Sequence, residues 1–188
     1  MRALITERLA RLTALGSPDA AAGLREAAVL VPLIERPAGM TVLLVQRTQH
    51  LHNHPGQISF PGGGVEDSDE SPIAAALRET EEEVGVPANR IQVVGQIERV
   101  ETRTGFRITP VVGFVPADVE FRLDPFEVDH VFEMPLDFVL DARNHETHTR
   151  EFEGNQVSYY VLNYEGYYIW GATARILVNL AGHLAGAG

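Results

Sequence analysis

Glu79, Glu82 and Glu83 fall within a five-residue stretch. On a helix stepping about 100° per residue, Glu82 and Glu83 lie about 60° to one side and about 40° to the other side of Glu79. One face would then present three carboxylates. A solvated acidic face is what most charged helix surfaces are. Here, however, Glu79, Glu81, Glu82 and Glu83 crowd the end of the segment where the macrodipole already disfavours negative charge. Each misplacement costs about 0.3 to 1 kcal/mol, and each like-charged i, i+3 or i, i+4 pair adds about 0.2 to 0.5 kcal/mol. Arg78 offsets only part of that. A divalent cation would offset the rest, and oxygen-only ligands point to a hard ion such as Mg2+ or Mn2+. Glu79, Glu82 and Glu83 are therefore the candidate metal ligands.

The element that must hold them has clear ends. Ser71 suits an N-cap, Pro72 the first helical position, and Gly85 the left-handed residue that closes a helix. On the same wheel Ile73, Leu77, Thr80 and Val84 share an arc and read as the core-facing stripe. Ala75 and Ala76, one turn before the carboxylates, read as room for something bulky. Gly62, Gly63 and Gly64 precede the helix. Such a run can turn backbone N–H groups toward an anion or a carbonyl toward a metal.

Gly64, five residues, Glu70, seven residues and then Arg78-Glu79-Thr80-Glu81-Glu82-Glu83-Val84-Gly85-Val86 resembles the Nudix box, G-x5-E-x7-R-E-U-x-E-E-x-G-U with U a bulky aliphatic. Only Thr80 departs from it. The resemblance implies an α/β/α sandwich with a mixed sheet. It also implies an enzyme that cuts a diphosphate linked to another moiety, using Mg2+ on the box glutamates. Within this pattern Glu70 is read as the structural partner of Arg78.

Composition narrows the partners. Lys and Arg total 15 against 26 Asp and Glu, for a net charge of −11. That argues against a nucleic-acid backbone or an anionic membrane, so anionic phosphates must be met by metal, backbone N–H groups and a few placed bases. The chain has no cysteine, which removes thiolate ligands and a cysteine nucleophile. With 188 residues, 45% of them apolar, residues 1–188 read as one domain with a real core. The opening MRALITERLARL lacks the apolar run of a signal peptide, and no stretch approaches the roughly 18 apolar residues of a membrane span. A cytoplasmic protein is the expectation.

Along the chain, Leu4, Ile5, Leu9, Leu12 and Leu15 predict an amphipathic helix over residues 2–15. Strands are expected at 27–34, 41–46, 91–98 and 106–115, with Pro32 forcing an edge position or a bulge in the first. Residues 124–134 read as an acidic loop. A hairpin is expected from 157–162 and 167–170, followed by a terminal helix over 172–184. The first helix and the Tyr159, Tyr160, Tyr167 and Tyr168 cluster are candidate surfaces for a homodimer.

Upstream of the box, Leu43, Leu44, Arg47, Gly56, Phe60, Pro61, Gly62 and Gly63 are similar in type and spacing to the signature of coenzyme A pyrophosphatases, L-L-T-x-R-[SA]-x3-R-x3-G-x3-F-P-G-G. Val45 stands for Thr, Thr48 for the small residue and His52 for the second Arg, a titratable base where a permanent cation is usual. Stretches 105–115, 127–136 and 169–177 are similar to the same family. The substrate implied is coenzyme A or a thioester, cut to 3′,5′-ADP and 4′-phosphopantetheine or its acyl form. Arg47 offers a bidentate fork for phosphate. His52 and His54 add donors beside it, with Gly62 and Gly63 as the anion-facing loop. For catalysis, Glu79 and Glu83 are first choices as metal ligands and Glu82 supplies a third carboxylate. Both Glu82 and Glu127 are candidates for the general base, with Glu127 on a loop that could deliver it on closure. Another nucleoside diphosphate-X substrate, or a non-catalytic ligand sensor on the same fold, is the alternative.

Overall fold

A computed structural model describes residues 1–13, 23–51, 54–152 and 154–185. Four helices, α1 (Arg2–Thr13), α2 (Pro72–Val84), α3 (Leu136–Leu140) and α4 (Gly171–Ala185), accompany eleven strands. Strands β1 (Arg25–Arg36), β2 (Gly39–Arg47), β3 (Ile58–Ser59), β4 (Gly62–Gly64), β5 (Gln92–Gln96), β6 (Val100–Glu101), β7 (Phe106–Val115) and β8 (Val128–Pro135) form one sheet. Strands β9 (Glu146–Phe152), β10 (Asn155–Tyr164) and β11 (Tyr167–Trp170) form a second, antiparallel one. β1 and β7 run parallel over ten residue pairs while β2, β4 and β5 pair antiparallel, so the large sheet is mixed.

The period-two alternation of strand side chains builds the layers. On β1, Ala28, Leu30 and Ile34 face α2, where they pack with Leu43, Val45, Ala75, Ala76 and Val84. The intervening Val31 and Leu33 face the other way, into a larger cluster with Ile5 and Leu9 of α1, Leu136 of α3 and Ile176 and Leu177 of α4. The sheet thus lies between α2 on one side and α1, α3 and α4 on the other, an α/β/α sandwich with a mixed sheet.

The strand expectations hold at 27–34, 41–46, 91–98 and 106–115, as do the hairpin of β10 with β11 and the terminal helix. The first helix ends at Thr13, and residues 14 and 15 lie outside the described ones. Ile5 and Leu9 are buried, whereas Leu4 is exposed. Three readings are corrected. Residues 128–134, taken as part of a loop, are strand β8, in which Val128 and Met134 are buried core and Val131 packs partly buried against it. β9 and α3 were not anticipated, since β9 (ETHTREF) is almost wholly exposed and shows no apolar alternation.

Pro32 is the third. It lies in a central strand, between β2 and β7, and the reason is a fork in the sheet. The upper part of β1 pairs with β2 (Leu33 opposite Val42) and the lower part with β4 (Ala27 to Val29 opposite Gly64 to Gly62). The N–H of Leu30 donates to the Pro61 carbonyl on that same edge. Two residues on, the absent N–H of Pro32 would point into the notch where one neighbour gives way to the other, so no ladder bond is lost. Beyond Val42, β2 leaves β1 and takes β3 instead, with Val45 opposite Ser59. The segment from Ile58 to Gly64 is therefore wedged into the fork, pairing β2 on one side and β1 on the other. That wedge carries the glycine run to the face where α2 lies.

Candidate active site

Helix α2 has the ends expected of it. The Ser71 side chain accepts from the Ala74 N–H at 3.2 Å, Pro72 opens the helix, and Gly85 closes it at φ 71° with its N–H on the Glu81 carbonyl. Its buried face differs from the wheel. Ala75, Ala76, Thr80, Glu83 and Val84 are buried, while Ile73 and Leu77 are only partly so. The packing arc is rotated by about 65° toward the carboxylates, because the two alanines let the helix lie close on β1. They are core and leave no space. Thr80, the departure from the box, is 1% exposed and its hydroxyl donates to the Ala76 carbonyl at 2.6 Å, the back-bond that makes a buried threonine tolerable in a helix.

The rotation drives Glu83 inward. Its side chain is 3% exposed, with Oε2 accepting the Gly62 N–H at 3.1 Å and Oε1 lying 3.3 Å from Arg47 Nη1. Burial pushes its carboxyl up to about 7, with Glu127 and Glu79 adding to the rise and the Gly62 N–H and Arg47 opposing it. Glu79 is half-buried and its carboxyl is also raised, chiefly by burial, against the hydrogen bond from Arg78. Glu82 stays exposed, and Glu127 is half-exposed beside Arg47, whose Nη2 is 3.6 Å from Glu127 Oε2. Glu81 points away from this group, its carboxylate accepting the Ala88 N–H.

Two guanidinium groups organise the carboxylates. Arg47, leaving the end of β2, joins Glu83 to Glu127. Arg78 Nη1 sits 3.0 Å from both Glu79 Oε1 and Glu82 Oε2, and its other nitrogens grip Asp69 at 3.1 and 3.0 Å and the Gly64 carbonyl at 3.2 Å. Glu70 is not among its partners. The pairing expected between Glu70 and Arg78 is made by Asp69, one residue earlier, whose carboxylate also takes the Glu66 N–H at 2.9 Å and is held below its usual range by Arg78. That turn places Asp69, not Glu70, over the helix.

The glycines are required by contact. A Cβ on Gly62 would stand 2.4 Å from the Ala28 carbonyl oxygen and 2.6 Å from Val29 Cα. One on Gly63 would stand 2.5 Å from Glu79 Oε1. The backbone of the wedge thus rests directly on a carboxylate, as the sequence suggested it would on an ion.

Glu127 lies in a segment hydrogen-bonded to α2 and β2. The Arg122 and Asp124 N–H groups donate to the Val84 and Glu83 carbonyls at 2.9 and 3.0 Å, terminating α2. The Glu127 and Val128 N–H groups donate to the Asp124 carbonyl, and the Thr48 N–H donates to the Glu127 carbonyl at 2.9 Å. Thr48 Oγ1 donates to the Phe126 carbonyl at 2.7 Å and the Phe126 N–H to Asp124 Oδ1 at 2.8 Å. In this structure the backbone on both sides of Glu127 is already hydrogen-bonded, with its side chain beside Arg47. Sequence reasoning missed Asp69, Thr48 and Asp124. For Asp124 a signal existed, since Asp-Pro initiates turns whose side chain bonds the N–H two residues on.

Of the substrate residues, Arg47, Gly62 and Gly63 meet at the carboxylates. His54 is exposed in a left-handed conformation at φ 55° and joins none of these contacts. His52 lies outside the described residues. Among the described residues no three acidic or histidine side chains gather closely enough to grip a cation as they stand. The donor set nevertheless fits one: oxygen-only, drawn from one helix face, with two carboxyls raised by burial that a dication would relieve.

A model of the NUDIX domain matches residues 24–159. The chain belongs to the Nudix family. It is 45% identical over 157 residues, 84% of this chain and 81% of the other, to the uncharacterized Nudix hydrolase NudL of Escherichia coli K12, and equally to that of Shigella boydii. Among solved structures, a Nudix hydrolase from Mycobacterium smegmatis, RenU, aligns with a TM-score of 0.52 and 27% identity over 63% of this chain and 75% of that one. A Caenorhabditis elegans Ap4A hydrolase complex aligns with the same TM-score of 0.52 at 20% identity, over 59% and 80% of the two chains, which speaks to the fold alone. The Nudix chain is thus a hydrolase of nucleoside diphosphates joined to a further moiety, in a family that generally needs a divalent cation, typically Mg2+. No helix among its described residues is long and apolar enough to cross a membrane.

Proposed function

We propose that this Nudix hydrolase cleaves the diphosphate of coenzyme A or its thioesters, giving 3′,5′-ADP and 4′-phosphopantetheine or its acyl derivative. The observation that carries the reading is the place of Arg47. This residue of the coenzyme A signature leaves β2 with its fork on Glu83 and Glu127, beside the Gly62 and Gly63 of the same signature. Arg47 and the glycine wedge would bind the diphosphate, and the guanidinium would exchange a carboxylate for a phosphate oxygen, a planar match in both cases.

Glu79, Glu82 and Glu83 would hold Mg2+ or Mn2+, which supplies neutralisation of phosphate charge and a more acidic water. Water adds to one phosphorus and the bridging oxygen leaves with the other phosphate, so no protein nucleophile is required. Glu127, part-exposed and paired among the described residues through the long contact to Arg47, would take the proton of the attacking water. Glu82 is engaged by Arg78, which leaves it the weaker candidate for that role. Asp69 and Arg78 hold the glycine loop on the helix. A homodimer and a cytoplasmic location belong to the same reading.

The test is hydrolysis, with Mg2+ or Mn2+, of coenzyme A, dephospho-coenzyme A, acyl thioesters, ADP-ribose and NADH. Coenzyme A or a thioester should show the highest kcat/KM. Preference for ADP-ribose or NADH would remove the coenzyme A assignment and leave the Nudix chemistry standing.

A further inference from the structure

Phe126 is the most exposed large hydrophobic side chain among the described residues, at 65%, and it immediately precedes Glu127. Isolated exposed apolar residues are ordinary, but this one is held unusually firmly. Its N–H is taken by the Asp124 carboxylate and its carbonyl by the Thr48 hydroxyl. Asp124 is anchored in turn on the Glu83 carbonyl at the end of α2. Its ring meets the edge of His50 with centroids 4.8 Å apart and planes at 61°. That contact touches the ring at one place and leaves most of it uncovered. The other exposed large apolar side chains lie elsewhere, Met1 and Leu4 by the first helix, Phe152 under Arg103 and Tyr168 on the second sheet.

We infer that Phe126, braced by His50, is the platform on which the nucleobase of the substrate stacks. The base is the one flat aromatic part that every nucleoside diphosphate-X has in common. Phe126 is joined through its backbone to Thr48, the neighbour of Arg47, and is next in the chain to Glu127, the partner of Arg47, whereas Arg78 pairs with Glu79 and Glu82. A diphosphate lying along Arg47 and Glu83 then has one end at Phe126, and burying a π-face there against a base is favourable for any base. The inference rests on the nucleoside-diphosphate reading of the site and is independent of what the second moiety is.

Calorimetric titration of AMP and of ribose 5-phosphate into the wild-type protein, Phe126→Ala and Phe126→Trp separates the base from the phosphate. The wild type should bind AMP more tightly than ribose 5-phosphate. In Phe126→Ala the Kd for AMP should rise roughly ten- to a hundredfold and in Phe126→Trp return to the wild-type range, with the ribose 5-phosphate Kd unchanged in both. An unchanged AMP Kd in Phe126→Ala, an equal loss for both ligands, or a wild type indifferent to the base would each overturn the platform. Melting temperatures close to wild type are expected for a side chain so exposed. If coenzyme A is not hydrolysed while the AMP pattern holds, only the coenzyme A reading falls.

Discussion

Glu83→Gln is expected to abolish most metal-dependent turnover while leaving the metal-free protein as stable as the wild type or more so. Removing a ligand charge that neutralises the transition state forfeits several kcal/mol, or about two to three powers of ten in kcat at 1.36 kcal/mol per tenfold. The stability effect has the opposite sign because of where the carboxylate sits. Its folded value of about 7 lies above the ordinary 4.5, so the fold favours the neutral acid. The favourable contribution of that neutral form is complete below about pH 4.5 and is lost as pH rises through 7. At pH 8 the charged group costs the metal-free wild type up to about 3 kcal/mol, and the neutral amide avoids that cost. Thermal melts of both proteins at pH 5 and pH 8, with and without Mg2+, read this directly. The wild type should lose stability between the two pH values and regain it with Mg2+, and the variant should do both to a smaller extent, since of the two carboxyls raised by burial only Glu79 remains. Full turnover in the variant at saturating Mg2+ would remove Glu83 from the metal site.

Adding one methyl group to adjacent glycines should give two different failures. At Gly62 the new carbon would meet backbone, 2.4 Å from the Ala28 carbonyl oxygen. The strand cannot yield without opening the sheet, and φ 152° is unfavourable for alanine. Gly62→Ala should therefore destabilise by about 2 to 4 kcal/mol and melt well below the wild type. At Gly63 the methyl group would meet the mobile end of Glu79, which can swing aside. Gly63→Ala should keep its melting temperature within a few degrees and lose about a hundredfold or more in kcat, since the displaced carboxylate is a metal-ligand candidate. A Gly63→Ala enzyme with wild-type kcat would show that Glu79 is not needed where it stands.

Residues that act locally were legible in the sequence. The cap at Ser71, the stop at Gly85 and the strands β1, β2 and β7 depend on near neighbours in the chain, and all are found as read. Glu79, Glu83, Arg47 and the glycines were singled out by type and spacing, and the fold brings them together. The misreadings share a cause, which is that a tertiary neighbour decided the matter. The wheel placed Leu77 in the core because it is apolar, yet Ala75 and Ala76 won the contact with β1 because they are small. Pro32 looked like an edge because the fork that excuses it is made by a segment some thirty residues later. Arg78 took Asp69 over Glu70 through the turn at Glu66, a choice that spacing alone does not encode. Strand β9 has no apolar period to detect because neither face is deeply buried.

The capping of α2 by the segment that follows β7 ties together two things usually kept apart. The last carbonyls of the helix, on Glu83 and Val84, are satisfied by the N–H groups of Asp124 and Arg122 rather than by water. Gly85 has no side chain because Arg122 Cβ would lie 2.7 Å from it. Glu83 and Glu127 therefore belong to one cooperative unit of local opening: an excursion that frees the loop also frays the helix end. Amide hydrogen exchange should find Arg122 and Asp124 opening together with the final turn of α2, at one common free energy, so that the enzyme assembles or loses both carboxylates in a single step.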